Sequence, residues 1–444
     1  MHFLIAIVLL VSLCWSQFCA PVASAEPRDW FASIVGTVLL VLLCPLLAAA
    51  QTYFLRKVDA SKRSSFFRSM VWIHSLFWTT ASIVIVAWFG WTEFACQVPY
   101  ATQVPLLDEL LIIAPAMMAL IASWGTFIFG LPRDAVSKKR SQWSLFAFWI
   151  RMQMTFVTAP ILIAFLVADC FSLWQGVSLD PFWQTALTIV AGIVFLVATL
   201  FYPQLMLLFW PTVRVKDTEL ELRLQQWPQR CGLRARKILV WETGNSVVNA
   251  AAVGMCPGTE VVLLSDMLLD KFDPDEIDAV TLHELGHIWH RHSIKRAAWI
   301  LLPLLVLGLD EFCSIGVHQS LLSFGAAMGL GSIAVNLPAI LYLIYLLVVI
   351  RTVFRKMEFQ ADRFAIERIA EHSSCPALEL ALEKMAVIYP KTIDRQSGLH
   401  PSIRQRLAHA QRVQAELASD GSQAFSPAIS RSKESVSLDP IAAK

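Results

Sequence analysis

The sequence predicts a mainly α-helical, polytopic membrane protein. We expect about seven spans, an N-terminal signal or anchor, and a smaller cytoplasmic α+β domain that is split by a transmembrane hairpin. Three observations predict this architecture. Of the 444 residues, 56% are hydrophobic and only 16% are charged, which is too apolar for a soluble protein of this size. Apolar runs of about 20 residues, each able to cross a bilayer as a helix, recur along the chain, and basic residues cluster in alternate loops.

Residues 1–25 are predicted to be a signal peptide or a signal anchor. Residues 3–15 form an apolar run, and Ala23-Ser24-Ala25 resembles a small-residue cleavage site, but no lysine or arginine precedes the run. A cleaved and a retained form both stay open, and both place residue 26 beyond the membrane. The leader favours a bacterial cytoplasmic membrane as the location.

Residues 26–210 are predicted to be a five-span transmembrane region. The apolar runs lie near residues 31–50, 70–91, 106–131, 146–167 and 182–210. The loops that follow the first and third runs are rich in lysine and arginine, whereas residues 93–105 and 169–180 contain neither. Because basic loops face the cytoplasm, the chain that follows residue 210 is expected on the cytoplasmic side.

The next part of the chain is predicted to be a small mixed domain. Residues 238–241, 246–248 and 261–264 are rich in β-branched and apolar residues and predict short strands. Residues 298–350 predict a transmembrane hairpin, which divides the domain into residues 211–297 and 351–417. Residues 418–444, rich in serine and charge, predict a disordered tail.

The strongest chemical signal is His283-Glu284-Leu285-Gly286-His287. The preceding Asp273-Pro274-Asp275-Glu276 offers an N-cap, a proline at the first helical position and acidic residues in the first turn, so the motif is expected on a helix. The spacing places both imidazoles on one helix face, where they can bind zinc, and Glu284 can take a proton from a water that the metal activates. The pentapeptide alone leaves a chance match open.

A peptidase zinc needs three protein ligands and one open position, so a third ligand must come from another segment. In one class it is a histidine ten residues after the first, but Ser293 stands there. His290 is about 10 Å along the helix from His283, too far to share one tetrahedral ion with both rings. Glu358 and Asp362 lie one turn apart on a later predicted helix and can supply a ligand and a carboxylate that orients a ligand histidine. A solvated pair is the alternative reading.

Together, these motifs resemble those of the membrane zinc metallopeptidases that include the type I CAAX prenyl protease and the heat-shock protease HtpX. The resemblance rests on four stretches, which occur in the family's order: Asn249-Ala250-x-x-x-Gly254, His283-Glu284-Leu285-Gly286-His287, Glu358-x-x-Ala361-Asp362, and His400-Pro401-Ser402 with Arg406. The five predicted spans before the zinc helix resemble the prenyl-protease branch, since HtpX-like proteins have two.

The resemblance implies a gluzincin-like domain that binds one Zn²⁺ per chain. The implied ligands are His283, His287 and Glu358, with Glu284 as the general base and Asp362 behind the ligands. Asn249 is implied to lie where an extended substrate pairs with an edge strand. His400 and Arg406 are implied to lie near the site, either to stabilise an oxyanion or as a helix N-terminus and a structural ion pair.

These features predict an integral membrane zinc endopeptidase that acts on protein or peptide substrates, in membrane-protein quality control or processing. One alternative is a sensor or signalling metalloprotease, but no segment is long enough for a ligand domain on the far side. Another is a non-catalytic, zinc-stabilised membrane scaffold, against which Glu284 and the open fourth ligand position count. The net charge of +2 offers no basic surface for nucleic acid.

Overall fold

A computed structural model describes most of the chain in two compact units, which divide between Trp210 and Pro211. The described residues are 4–5, 8–9, 11–13, 29–131, 141–175, 180–233, 237–245, 247–313, 316, 319–320, 323–324, 327, 341–342, 344–372, 375–390, 393–394 and 400–419.

The first unit is built from helices. They are α1 (Trp30–Arg56), α2 (Ala60–Ala87), α3 (Trp91–Gln97), α4 (Leu107–Gly130), α5 (Gln142–Gln153), α6 (Ala159–Gln175) and α7 (Pro181–Phe209). Among the described residues, four stretches are long and apolar enough to cross a membrane: Trp30–Arg56, Ser69–Ala87, Leu107–Gly130 and Gly192–Phe209. They coincide with four of the five runs that the sequence predicted.

The run predicted as one span at residues 146–167 differs from that expectation. It comprises α5, a π-helical segment at Met154–Thr158 and α6, and only a shorter apolar stretch, Ala159–Cys170, qualifies by hydropathy. Pro160 has no N–H to continue the i to i−4 bonding, so the wider π pattern just before it has a local cause.

Tryptophans complete the packing of the first unit. Pro115 lies inside α4 and cannot donate to the carbonyl of Leu111, so that oxygen would be an orphan. The indole N–H of Trp91 donates to it at 2.8 Å. The buried Trp78 belongs to the same apolar cluster as Ile5 and Leu9, described residues of the predicted signal or anchor.

The second unit contains a mixed sheet. Its strands are β1 (Thr212–Arg214), β2 (Lys237–Trp241), β3 (Ala250–Val253) and β4 (Val261–Ser265), in the order β1-β2-β4-β3. β4 runs parallel to β2 and antiparallel to β3, which lies at one edge of the sheet. The strands predicted at 238–241 and 261–264 are confirmed, and β1 had no sequence prediction.

The strand predicted at residues 246–248 is not found at Val247 and Val248, and Ser246 lies outside the described residues. The carboxylate of Asp266 accepts from the N–H groups of Thr243, Gly244 and Asn245 at 2.7–3.1 Å, and Gly244 and Asn245 have positive φ angles. The N–H of Val248 donates to the Tyr389 hydroxyl at 3.0 Å. Val247 and Val248 therefore lie in a loop, and the strand begins at Ala250.

The helices of the second unit are α8 (Thr218–Arg230), α9 (Asp266–Lys271), α10 (Pro274–Trp289), α11 (His292–Cys313), α12 (Arg351–Ala370), α13 (Ala377–Ile388) and α14 (Ile403–Ser419). They include α10, which packs between the sheet and α12. Leu282 and Leu285 of α10 are fully buried in a cluster with Leu264 and Phe364. The core of this unit therefore lies between the sheet and α12.

Several sequence predictions fall partly outside the described residues. Of the predicted hairpin, α11 covers the beginning, and a π-helical segment at Leu346–Ile350 leads into α12; most of the part between them is not described. The predicted tail lies outside the described residues after Ser419. The helix predicted to carry Glu358 and Asp362 is confirmed, because both residues lie within α12.

Candidate metal centre

The helix predicted around the His-Glu-x-x-His motif is confirmed as α10. Asp273 and Glu276 form a reciprocal capping box and Pro274 occupies the first turn. Lys384 of α13 donates to Asp273 at 2.8 Å and to Glu276 at 2.6 Å. A proline at this position costs no helical hydrogen bond, so the start of the helix is defined by local sequence and by α13 together.

Gly286 lets α10 approach α12 backbone to backbone. A Cβ atom at Gly286 would lie 3.1 Å from Cα and 3.2 Å from the carbonyl oxygen of Ala361. Both distances are closer than most Cβ contacts, and Ala361 is completely buried. The absence of a side chain at Gly286 therefore brings the face of α12 that carries Glu358 and Asp362 against the two histidines of α10.

Three buried side chains converge between these helices. Nε2 of His283 lies 3.7 Å from Oε2 of Glu358, and Nε2 of His287 lies 3.5 Å from Oε1 of the same carboxylate. One ligand atom from each of the three residues lies within 4.8 Å of the others. The structure thus brings together the three residues that the sequence suggested as metal ligands.

Asp362 lies behind His283. Nδ1 of His283 is 2.9 Å from Oδ1 of Asp362, so a proton on Nδ1 is donated to the carboxylate and Nε2 is left with its lone pair towards Glu358. Arg406 of α14 donates to both oxygens of Asp362. Burial alone would raise the pKa of Asp362, but the Arg406 charge and the bond from His283 outweigh it and hold that pKa well below its usual range.

Nδ1 of His287 has a different partner. It lies 2.8 Å from Nδ1 of His292, whose Nε2 lies 3.0 Å from Oε1 of Gln360. Burial lowers the pKa of His287 well below its usual value. His287 is therefore a neutral ring, the form that can bind a metal.

Glu358 is surrounded by positive and polar groups. Arg296 donates to its Oε1 at 2.8 Å, and Nδ1 of His400 lies 2.8 Å from its Oε2. Burial raises the pKa of Glu358, but the bond with His400 and the electrostatic attraction of the surrounding imidazole groups lower it well below its usual value overall. The carboxylate is therefore ionised, as a metal ligand must be.

Glu284 lies between the metal-ligand cluster and the sheet edge. Its Oε2 accepts from the N–H of Ala252 at 2.7 Å, which leaves Oε1 for proton transfer. Burial raises the pKa of Glu284, and the hydrogen bond from the Ala252 N–H opposes this rise. A glutamate with a raised pKa is better matched to moving protons near neutral pH than an exposed one.

Asn249 immediately precedes the edge strand β3. Its carbonyl accepts from the N–H of Ser265, and its own N–H donates to the Ser265 hydroxyl at 3.0 Å. Main-chain groups alternate in direction along an antiparallel strand, so those of Ala250 and Ala252 point away from β4. These two alanines, rather than the main chain of Asn249, form the open edge.

Arg406 and His400 contact the two carboxylates that α12 brings to the centre. Arg406 is committed to Asp362, with its Nη2 3.3 Å from Nδ1 of His283, which favours the structural ion pair among the alternatives for this residue. The His400 side chain is 56% exposed and reaches Glu358. Both residues therefore lie at the centre, and each contacts a different carboxylate of α12.

The donor set fits a zinc ion. Two imidazoles with a free Nε2 and one ionised carboxylate are the ligand types of a catalytic zinc site. Each imidazole has its other nitrogen hydrogen-bonded, the usual arrangement behind metal-ligating histidines. Asp362 and His292 supply these contacts from outside the ligand set, and Arg406 in turn donates to Asp362.

Sequence reasoning missed three residues of this centre: Arg296, His292 and Gln360. His292 follows His287 by five residues, a spacing that does not share a helix face. It reaches His287 because the helix breaks at Arg291, whose φ is +54°. A glycine at position 291 would have indicated this helix break, but arginine does not.

Residues 215–414 match the sequence model of peptidase family M48. Over this segment, which we call the M48 domain, the chain is similar to M48 peptidases. The domain contains every residue of the centre described above, from Asn249 to Arg406, and the family resemblance that the motifs indicated is confirmed.

Two curated relatives of the M48 domain carry the names of the prenyl-protease branch and of the HtpX branch. The CAAX prenyl protease 1 homolog of Dictyostelium discoideum is 29% identical over 204 residues, which cover 44% of this chain and 46% of that protein. The protease HtpX homolog of Pyrococcus abyssi (strain GE5 / Orsay) is 26% identical over 163 residues, covering 35% and 54%. The chain thus matches about half the length of these curated relatives.

The fold extends beyond the M48 domain. The crystal structure of S. mikatae Ste24p is similar with a TM-score of 0.53 at 17% sequence identity, and the match covers 86% of this chain and 99% of that chain. At this identity the likeness concerns the fold alone.

Proposed function

We propose that this protein is an integral membrane zinc endopeptidase that hydrolyses peptide bonds in protein or peptide substrates. The observation that carries the proposal is the convergence of His283, His287 and Glu358 beside Glu284, which faces the edge strand β3 through Ala252. His283, His287 and Glu358 would hold one Zn²⁺ per chain. When bound, zinc at such a site polarises a carbonyl group and lowers the pKa of a water ligand to about 7.

Other residues of the protein transfer the proton, orient a ligand and contact the substrate. Glu284 takes a proton from the attacking water on Oε1 and returns it to the leaving amine, while the Ala252 N–H holds its other oxygen. Asp362 keeps His283 oriented. His400, exposed and in contact with Glu358, is placed to reach a substrate oxygen.

Substrate binding is proposed at the open edge of β3. The main-chain N–H and carbonyl of Ala250 and the carbonyl of Ala252 can pair with an extended peptide, while the Ala252 N–H stays on Glu284. Binding then depends on main-chain hydrogen bonds more than on particular side chains. Asn249 stands at the start of this edge and can add a side-chain contact. Such binding suits a protease that acts on unfolded segments of many proteins, as in membrane-protein quality control or processing.

The proposed location is a multi-pass position in a membrane, with the centre on the cytoplasmic side. Support comes from the four described stretches that can cross a membrane and from the basic loops after the first and third runs. A bacterial cytoplasmic membrane is proposed on the basis of the leader alone.

The test uses the full chain purified in detergent, with casein as an unfolded substrate. We expect cleavage that a chelator abolishes and added Zn²⁺ restores. The Glu284→Gln variant should keep its zinc, measured by elemental analysis, and lose roughly a hundredfold to ten-thousandfold in kcat. Glu367→Gln, an exposed substitution on α12, is the matched control and should cleave normally.

Two results would contradict the proposal in different ways. Appreciable cleavage by zinc-loaded Glu284→Gln would overturn the role of this glutamate. A wild-type protein that binds one zinc but cleaves no unfolded substrate would favour the zinc-stabilised scaffold.

A further inference from the structure

The two metal-binding imidazoles of the proposed centre are held from behind in unlike ways. His283 is held by the carboxylate of Asp362, which Arg406 neutralises. His287 is held by another imidazole, that of His292, at 2.8 Å. His292 is completely buried, so its ring can exchange neither of its two hydrogen bonds for water.

The direction of the hydrogen bonds between His287, His292 and Gln360 follows from which of their atoms can donate and which can accept. Oε1 of Gln360 can only accept, so Nε2 of His292 carries a proton and donates it. A 2.8 Å contact between two Nδ1 atoms requires that one of them carries a proton and the other does not. For His287 to present a lone pair on Nε2 to a metal, the proton must be on its own Nδ1, so Nδ1 of His292 is the acceptor.

The backbone accounts for the position of the His292 ring. α10 ends at Trp289 and α11 begins at His292, and Arg291 between them has a left-handed φ of +54°. This break in the helix places the first residue of α11 beside His287, which lies two residues before the end of α10. This conformation is unfavourable for a residue other than glycine, and the contact between His292 and His287 depends on it.

We propose that His292 is a positioning residue for the metal ligand His287, and that Gln360 selects the tautomer of His292 that makes this positioning work. The inference rests on the proposed zinc site. α12 then supports the whole centre: Glu358 as a ligand, Asp362 behind one histidine and Gln360, through His292, behind the other. Outer contacts of this kind typically contribute 10–100-fold to metal affinity.

Two substitutions at position 292 separate positioning from a merely structural role. In His292→Asn, the side-chain Oδ1 occupies the place of the imidazole Nδ1 and can still accept from His287, although the bond to Gln360 is lost. In His292→Leu, both bonds are lost at similar volume. The two variants share the loss of the Gln360 contact and differ in the acceptor that faces His287.

The measurement is zinc affinity of the full-length, detergent-purified protein, by competition with a chromophoric chelator, with thermal unfolding of the zinc-free form recorded alongside. We expect His292→Leu to bind Zn²⁺ about 10–100-fold more weakly and His292→Asn to stay within a few-fold of wild type, at similar unfolding temperatures. Equal zinc affinities in the two variants would overturn the proposal.

Gln360 provides a second test that does not depend on how position 292 tolerates substitution. Gln360→Glu keeps an acceptor for Nε2 of His292 and should retain zinc affinity, whereas Gln360→Met removes it and should weaken binding. Identical affinities of these two variants would contradict the tautomer assignment. If the wild-type protein itself bound no zinc, the proposed function would fail, which is a separate outcome from either result.

Discussion

Arg406 of α14 holds both carboxylate oxygens of Asp362 on α12. Its Nε lies 2.9 Å from Oδ2 and its Nη2 lies 2.5 Å from Oδ1. Asp362 is completely buried, and loss of one partner from a buried ion pair costs about 3–5 kcal/mol. We expect Arg406→Met to lower the free energy of unfolding by this amount, and Arg406→Lys to recover only part of it because lysine cannot reproduce the two-pronged contact.

Unfolding of the purified variants in detergent measures this effect. The control is Arg363→Met, since Arg363 pairs with Glu367 and Glu416 on the surface, where such pairs contribute at most about 1 kcal/mol. Equal destabilisation by the two substitutions would show that Arg406 does not compensate a buried charge.

Glu358→Ala should remove most metal binding. The carboxylate is the one proposed ligand that α12 supplies, and its loss also leaves Arg296 without the partner at 2.8 Å, so a positive charge would face the metal. We expect zinc affinity to fall by more than about a hundredfold, beyond the range for loss of an outer contact, and casein cleavage to disappear with it.

Elemental analysis after gel filtration gives the readout for this variant. Glu367→Ala is the matched control, because Glu367 lies on the same helix and its pairing with Arg363 is exposed. Full zinc content in Glu358→Ala would mean that the third ligand is another residue.

Gly286→Ala should disturb the contact between α10 and α12. The added methyl group would meet the backbone of Ala361 at 3.1–3.2 Å, and backbone cannot rotate away as a side chain can. Overpacking of this kind costs about 1–3 kcal/mol, and the shift would also move Glu358 away from the histidines, so zinc affinity should fall as well.

A helical glycine with free space around it serves as the control. A Cβ at Gly192 of α7 would contact nothing within 4 Å, and alanine favours helices more than glycine by about 1 kcal/mol. Gly192→Ala should therefore be neutral or stabilising. An unchanged unfolding temperature and zinc content in Gly286→Ala would show that the helices have room to separate.

Asp266 should make stability depend on pH. Burial raises the pKa of this carboxyl, but the Thr243 hydroxyl and the three main-chain N–H donors of residues 243–245 outweigh burial and lower it overall. A carboxyl with a lowered pKa stabilises the fold fully above its unfolded value of about 3.9, and the contribution disappears as the pH falls through the folded value.

Comparison with Asp266→Asn isolates this contribution. We expect the variant to be about 1.5–3 kcal/mol less stable at neutral pH, the range for hydrogen bonds to a charged group. The difference in unfolding temperature should shrink as the pH is lowered below about 4. A difference that stays constant across this range would mean that the ionised form is not what the loop binds.

Local sequence was sufficient for the elements whose hydrogen bonds close within a few residues. The cap at Asp273, the proline at position 274 and the spacing of His283 and His287 are short-range features, and α10 follows them. The strands β2 and β4 were equally readable, because both are continuous apolar segments. The helix predicted around Glu358 and Asp362 lies within α12 for the same reason.

The strand predicted at residues 246–248 shows where local pattern was insufficient. Val247 and Val248 have high β-propensity, but Asp266, distant in sequence, holds the turn just before them. The Tyr389 hydroxyl accepts from the N–H of Val248. The hydropathy pattern of the fourth apolar run also did not predict the π-helical segment that precedes Pro160. In the first case distant hydrogen-bond partners determined the structure, and in the second a proline did; neither is visible in the pattern of apolar residues.

The sequence by itself determined the chemistry of this protein: the residue types able to bind a metal, the glutamate able to move a proton, and the apolar runs able to cross a membrane. The tertiary structure decided which partners complete that chemistry. It placed Arg406 on Asp362, Ala252 on Glu284 and His292 on His287. Helix spacing and periodicity report only neighbours within a turn or two, whereas these contacts depend on how α10, α11, α12 and β3 pack together.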